Sequence, residues 1–92
     1  MIIEFRPPFE KSMKRLPPLE KDCVYELCHE LVNVLENRRE DYKGLGLKRL
    51  RNKIWEIRKD IKLRIIFEWE KDYLKFLLVG DHNQIKNYLK KN

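Results

Sequence analysis

The chain of 92 residues is 42% hydrophobic and 39% charged, which excludes a multidomain enzyme and a disordered or fibrous protein and predicts one domain spanning residues 1–92. Its 21 Lys and Arg against 15 Asp and Glu give a net charge of +6, which favours a polyanion, an acidic protein or a membrane surface as partner. The sequence shows neither a signal peptide pattern nor an apolar run of membrane-spanning length. We therefore expect a cytoplasmic protein with no membrane partner.

The first half of the chain predicts one strand and two helices. Residues 2–5 are a short apolar run before a proline pair, which indicates a strand. Residues 9–16 carry apolar side chains on one helical face and end at a second proline pair. Residues 19–37 repeat apolar side chains at helical spacing, and this stripe is interpreted as core. Residues 37–51 are polar, contain two glycines and are predicted to be a loop.

The second half predicts strands joined by short turns. Residues 54–58, 62–69 and 73–79 have strand length and strand-like patterns, which indicates an antiparallel meander. Residues 83–92 have the spacing of a short terminal helix. The predicted order is β-α-α-β-β-β-α. The expected fold class is α+β: a small antiparallel sheet of about four strands, a helical pair packed on one face, and a short C-terminal helix.

The net positive charge is concentrated in the middle of the chain. Residues 38–64 hold eleven basic and four acidic residues, whereas the flanking segments sum to −2 and +1. A localised block predicts a binding surface, and the alternative is a solvated basic face without a partner. The sheet face opposite the helical pair is expected to present charged side chains to solvent, namely Glu56, Arg58, Lys62 or Arg64.

Metal and cofactor sites are not predicted. Cys23 and Cys28 are expected to be reduced, and with the adjacent His29 they do not provide the four convergent ligands that zinc requires. Trp55 could stack on a nucleobase, although its alternation with sheet residues favours a place in the core.

The candidate reactive cluster is formed by Arg58, Arg64, His82 and Tyr88. Cleavage of RNA without a metal needs a group that takes the proton of the 2′-hydroxyl, a group that protonates the leaving oxygen, and cations beside the phosphate. Histidine, tyrosine and arginine can supply all three functions. A basic binding surface without catalysis is the alternative.

Several short motifs resemble the RelE/ParE superfamily of toxins from bacterial and archaeal toxin–antitoxin modules. They are Ile-Trp-Glu-Ile-Arg at residues 54–58, Arg-Ile-Ile-Phe at residues 64–67, and Leu-Val-Gly-Asp-His at residues 78–82 followed by Tyr88. The resemblance implies an mRNA interferase that enters the ribosomal A site, cleaves mRNA by metal-independent 2′-hydroxyl attack and so inhibits translation. It also implies a cognate antitoxin that holds the toxin inactive.

The resemblance assigns roles to five residues. Arg64 matches the strand arginine that stabilises the transition state, and Tyr88 matches the C-terminal catalytic tyrosine. His82 falls where RelE-like members have an arginine and relatives resembling YoeB or HigB use a histidine. Arg58 and Glu56 stand where RelE has lysines. Glu56 replaces a cation with a possible base, so either the proton transfers pass to Glu56 and His82 or this member is weak or inactive.

The basic side chains around these strands are expected to contact messenger or ribosomal phosphates irrespective of sequence. They are Lys48, Arg49, Arg51, Lys53 and Lys62. Two other functions stay open: a ParE-like non-catalytic inhibitor that binds DNA gyrase, and a degenerate RelE-fold module that only binds its partner. The presence of both His82 and Tyr88 favours the nuclease, because a pure binder has no need of a titrating side chain there.

Overall fold

The secondary structure comes from a computed structural model that describes residues 1–37, 44–58 and 62–91. In chain order its elements are β1 (Ile2–Phe5), α1 (Pro7–Lys14), α2 (Pro18–Glu36), β2 (Lys48–Arg51), β3 (Ile54–Ile57), β4 (Arg64–Glu70), β5 (Tyr73–Gly80) and α3 (His82–Lys91). The predicted α+β class, helical pair and terminal helix are confirmed. Residues 38–43 of the predicted loop, a turn at residues 59–60 and the end of the terminal helix at residue 92 lie outside the described residues.

The first two helices begin at the two proline pairs. Pro7 and Pro18 occupy the first helical positions, where the missing N–H costs no hydrogen bond and the fixed φ suits the helix. The residues before them, Arg6 and Pro17, are extended with ψ near 155°. The prolines therefore set where both helices start, ahead of the predicted starts at residues 9 and 19, because a proline fits the first helical position as well as it ends the preceding element.

The described residues form a five-stranded sheet in the order β1-β5-β4-β3-β2. Strands β2 to β5 are antiparallel neighbours, whereas β1 pairs in parallel with β5, with Ile2 opposite Tyr73. The sheet is therefore mixed. The loop prediction is wrong at Lys48–Arg51, which forms β2 at the sheet edge. This strand was missed because only Leu50 in it is even half-buried, so it lacks the apolar alternation of a strand that faces a core.

The main core lies between the sheet and the pair α1 and α2. Phe9 from α1 and Leu31 from α2 pack against Ile65 and Phe67 of β4, and all four are at most 1% exposed. The apolar stripe of residues 19–37 is thus core, as predicted. Burying these side chains is the main favourable contribution to folding of this half of the molecule.

The opposite sheet face is covered by α3. Ile85 of α3 packs with Ile66 of β4 and Leu77 of β5, and the three form a second buried cluster. Ile66 and Phe67 are both fully buried, in different clusters, because consecutive strand residues point to opposite faces of the sheet. Within the described ranges, no helix is long and apolar enough to cross a membrane.

Candidate functional site

Arg64 and His82 meet at one end of the sheet. Arg64 begins β4 and pairs with Gly80, the last residue of β5, while His82 begins α3 two residues later. The side chains are in contact, with Arg64 Nη1 2.7 Å from His82 Nδ1. A guanidinium group can only donate, so Nδ1 is the acceptor and the neutral ring carries its hydrogen on Nε2. The contact therefore directs the imidazole N–H away from Arg64.

The start of α3 fixes the position of His82. Asp81 Oδ1 accepts the backbone N–H of Gln84 at 2.8 Å, and Gln84 Oε1 accepts the backbone N–H of Asp81 at 2.8 Å. This is a reciprocal capping box, which satisfies two donors at the helix start. A side chain at Gly80 would collide with Gln84 Oε1, because an added Cβ would lie 2.7 Å from it. The signal in the sequence is the Asp-x-x-Gln pattern at residues 81–84, in which each side chain can accept the backbone N–H of the other residue.

Glu56 lies beneath Arg64 and away from solvent. Its residue is 6% exposed, and its Oε2 lies 3.9 Å from Arg64 Nε. Glu56 pairs with Ile66, two residues along β4 from Arg64, so the two charged side chains share a sheet face. The expectation that this face presents Glu56 to solvent is wrong, because α3 covers the centre of the face. A carboxylate at this depth beside a guanidinium group can orient that group.

Arg58 stands next to Arg64 across the strands. It follows Ile57, which pairs with Ile65, so the antiparallel register brings Arg58 opposite Arg64. The Arg58 backbone N–H donates to the Leu45 carbonyl at 2.9 Å. Gly46 adopts φ +61° there, and a Cβ at this glycine would overlap the carbonyl oxygen of Arg58. The Arg58 side chain remains exposed, as predicted, and the two arginines form a cationic edge to the site.

Tyr88 lies apart from this cluster along α3. It follows His82 by six residues, which is about 9 Å along a helix axis. Its ring packs against the Ile85 cluster and lines a groove between α3 and α1. The structure thus brings Glu56, Arg58, Arg64 and His82 together and places Tyr88 in the neighbouring groove.

The predicted basic surface is divided between the two faces of the sheet. Lys48 pairs with Glu56 and shares the face of the cluster, whereas Arg49 pairs with Trp55 and faces the other way. Arg51 turns toward α3, where its Nη2 donates to the Leu89 carbonyl at 3.0 Å in the last turn of the helix.

Lys53 and Lys62 lie at turns. Lys53 Nζ lies 2.6 Å from Glu70 Oε1, and this contact raises the pKa of Lys53 and lowers the pKa of Glu70. Lys62 is exposed two residues before Arg64. The described lysines and arginines of the basic block therefore do not form one continuous surface.

Two tryptophans line a groove on one face of the sheet. Trp55 and Trp69 are half-buried, their ring centroids are 5.4 Å apart, and they border a groove of about 770 Å³ together with Arg49. Both rings also pack against the main core, which is the position that strand alternation favours for Trp55. This groove lies on the face opposite Arg64 and His82.

The cysteines lie on α2, away from the cluster. Cys28 is buried in the main core and Cys23 is exposed. Across the described parts of the chain, no three His, Cys, Asp or Glu side chains are placed to hold a metal ion.

Comparison with known proteins gives similarity of structure. No family model matches the chain, and neither does any curated protein sequence. The RelB–RelE antitoxin–toxin complex from Methanococcus jannaschii matches with a TM-score of 0.69 at 21% identity, over 92% of this chain and 96% of that one.

Two Escherichia coli structures extend the comparison. YafQ matches with a TM-score of 0.68 at 17% identity, over 90% of this chain and 94% of that one. The intact RelBE toxin–antitoxin complex matches with a TM-score of 0.60 at 19% identity, over 87% and 94%. Identities this low establish the fold and not the activity. With five strands, a helical pair on one face and a terminal helix on the other, the chain has the fold of the RelE-type toxins.

Proposed function

We propose that this chain is the toxin of a toxin–antitoxin module and acts as a ribosome-dependent, metal-independent endoribonuclease. It would cleave mRNA in the ribosomal A site and so inhibit translation in the cytoplasm. The observation that carries the proposal is the 2.7 Å contact between Arg64 Nη1 and His82 Nδ1 at the end of a RelE-type sheet. A guanidinium group and an imidazole held this close can act on the same phosphodiester.

The proposed reaction is an attack of a 2′-hydroxyl oxygen on the adjacent phosphorus. Arg64 and Arg58 hold the phosphate oxygens and stabilise the charge of the transition state. When Arg64 turns to the phosphate, His82 Nδ1 is free to take the 2′-hydroxyl proton. The bond from phosphorus to the 5′ oxygen breaks, and that oxygen takes a proton from water, because Tyr88 lies about 9 Å along α3 from His82. The products are a 2′,3′-cyclic phosphate and a 5′-hydroxyl.

Glu56 acts in this proposal as a positioning residue. Its side chain is 8% exposed, so it does not reach the RNA, and its Oε2 instead faces Arg64 Nε. The sequence leaves the general base open between Glu56 and His82. In this proposal His82 is the base and Glu56 orients Arg64. Glu56→Gln should lower kcat more than it raises the KM for the ribosome–message complex, because Arg64 acts on the transition state, and Glu56→Asp should restore part of the loss.

Primer extension on a translated message tests the nuclease. The native chain should cleave the message, and Arg64→Ala or His82→Ala should each reduce cleavage at least 100-fold, roughly the size of a general-base or oxyanion contribution. Arg6→Ala and His29→Ala are matched controls, because both residues are exposed and lie outside the cluster. Equal cleavage by Arg64→Ala, His82→Ala and the controls would contradict the catalytic roles proposed for Arg64 and His82. Inhibition of DNA supercoiling by purified gyrase without message cleavage would replace it with the ParE-like function.

The proposed protein partner is an acidic antitoxin that covers the Arg64–His82 site. The matched complexes from M. jannaschii and E. coli contain an antitoxin together with the toxin. The exposed Arg58 beside half-buried Arg64 offers cations to an acidic segment. Adding the product of a neighbouring acidic reading frame should abolish message cleavage at a one-to-one ratio. Undiminished cleavage would exclude that product as the antitoxin.

A further inference from the structure

A second groove runs between α1 and α3 and has a distinct set of side chains. It has a volume of about 340 Å³ and is open to solvent. The α1 side contributes Pro8, Lys11, Ser12 and Arg15, and the α3 side contributes Gln84, Asn87, Tyr88 and Lys91. Each set follows the spacing i, i+3, i+4, i+7, so each is one continuous face of its helix. The two helical faces are therefore the walls of a single groove, which we call the α1–α3 groove.

The floor of the α1–α3 groove is the edge of β5. Strand β1 covers this edge only as far as Phe76, because the chain leaves the sheet after Phe5 and enters α1. Beyond that point the backbone N–H of Val79 donates to Ser12 Oγ at 3.2 Å. The serine hydroxyl thus accepts the hydrogen bond that a neighbouring strand would accept, and this bond attaches α1 to the sheet. The groove thus has a fixed floor and two helical walls.

The charged side chains described in this groove are all positive. Lys11, Arg15 and Lys91 are exposed on its walls, and no acidic side chain is among the described residues that line it. None of the three forms an ion pair with another residue that the structure describes. The Tyr88 ring is half-buried between them. Cations that track a groove beside an aromatic ring are typical of surfaces that bind single-stranded nucleic acid.

The α1–α3 groove adjoins the Arg64–His82 cluster. Gln84 lines one end of the groove and lies against Gly80, which pairs with Arg64 across the sheet. Lys91 lies seven residues farther along α3, about 10 Å away along the axis. A strand that follows α3 from the cluster would therefore pass Tyr88 and reach Lys91.

We propose that the α1–α3 groove binds the single-stranded RNA next to the cleaved bond, with Lys11, Arg15 and Lys91 on its phosphates and Tyr88 against a base. The identity of the strand rests on the proposed nuclease function. An acidic peptide fits the groove less well, because an amphipathic segment needs an apolar seam. Among the described residues that line this groove, the aliphatic ones are Pro8, Leu78 and Val79. The amides of Gln84 and Asn87 can instead hydrogen-bond to base edges.

The test measures RNA binding without cleavage. The probe is a fluorescein-labelled oligouridylate of about ten nucleotides, within the range of single-strand site sizes. It is 2′-O-methylated throughout, so that no 2′-hydroxyl can attack. Its affinity is measured by anisotropy at several concentrations of KCl for the full chain and for two triple variants. The groove variant is Lys11→Gln, Arg15→Gln, Lys91→Gln. The control variant is Lys14→Gln, Lys86→Gln, Lys90→Gln, which removes three exposed charges from the same two helices outside the groove.

The groove variant should bind the probe more weakly than the control variant. Its slope of log affinity against log salt should be smaller by about 2, which is the loss of three contacts to a single strand. Tyr88→Ala should weaken binding roughly fivefold or more, whereas Tyr88→Phe keeps the ring and the affinity. Circular dichroism confirms that each variant is folded.

Several outcomes would overturn the groove proposal separately from the nuclease. Equal affinities and salt slopes for the two triple variants would overturn it even if the native chain cleaves mRNA on the ribosome. Tighter binding of an oligoglutamate than of the RNA probe, with the same dependence on the three cations, would assign the groove to an acidic protein. Conversely, a smaller slope only in the groove variant would support the groove even if no message is cleaved.

Discussion

At the scale of single residues, the site combines a direct contact between Arg64 and His82 with a buried carboxylate at Glu56. Arg64 and His82 were predicted to act together, and they lie in contact. The burial of Glu56 was not predictable, because its strand alternates as an exposed face would and the helix that covers this face comes from the end of the chain. Tyr88 was expected beside His82 but lines the α1–α3 groove, since a six-residue offset on a helix does not return to the same face.

The two cysteines should differ in reactivity. Burial raises the pKa of the Cys28 thiol to about 12, whereas Cys23 is exposed. Because the thiolate is the reactive form, we expect iodoacetamide to label one thiol per folded chain and two after denaturation, as counted by mass spectrometry. Cys23→Ser should abolish labelling of the folded chain. Equal labelling of both cysteines in the folded chain would contradict the burial of Cys28.

The same thiol gives a pH dependence of stability. The pKa of Cys28 is higher in the folded than in the unfolded chain, so the folded state holds its proton more tightly. The stabilising effect is complete below the pKa of the unfolded thiol and is lost as pH rises toward about 12. The free energy of unfolding, measured by urea titration at a series of alkaline pH values, should decrease less steeply with pH in Cys28→Ala than in the native chain.

At the scale of secondary structure elements, the hydrophobic pattern predicts the helices that pack on the main core, but it does not predict the edge strand β2. The helices of the pair were visible because their apolar stripes face one large core. Strand β2 was not, because edge strands can be polar and short. A signal did exist at Asn52, which has φ 46° in the two-residue turn between β2 and β3, a conformation that asparagine adopts more readily than most residues.

Removing the buried contact of α3 should destabilise the chain. Ile85 is 4% exposed in the second cluster, so Ile85→Ala should lower the free energy of unfolding by about 2–5 kcal/mol in urea titrations. Ile2→Ala is the control, because Ile2 is 70% exposed and its truncation should change stability by less than about 0.5 kcal/mol. Similar losses for the two variants would mean that α3 is not anchored through Ile85.

At the scale of the whole molecule, the positive charge is divided between two sides. Lys48 lies on the face of Arg64 and His82. Arg49 and Lys71 border the groove lined by Trp55 and Trp69 on the opposite face, which we call the tryptophan groove. The linear sequence could locate the basic block but not this division, because neighbouring strand residues point to opposite faces. A protein that binds RNA with one face should respond to charge loss on that face alone.

The two faces can be compared with single substitutions. Lys48→Gln should weaken ribosome-dependent cleavage and reduce the salt slope of kcat/KM by about 1, the value for one phosphate contact. Lys71→Gln removes the same charge from the opposite side and should leave the slope unchanged. A larger effect of Lys71→Gln would place the RNA on the tryptophan groove.

The parallel pairing of β1 has a consequence for the order in which the chain assembles. Strands β2 to β5 pair as sequence neighbours, whereas Ile2 must find Tyr73 across nearly the whole described chain. Closing so long a loop costs more entropy than closing a hairpin, so non-local pairing is slow to form. We therefore expect β1 to dock late, after the antiparallel strands have formed. Because α1 follows β1 directly, the α1 wall of the α1–α3 groove would be completed in the same late step.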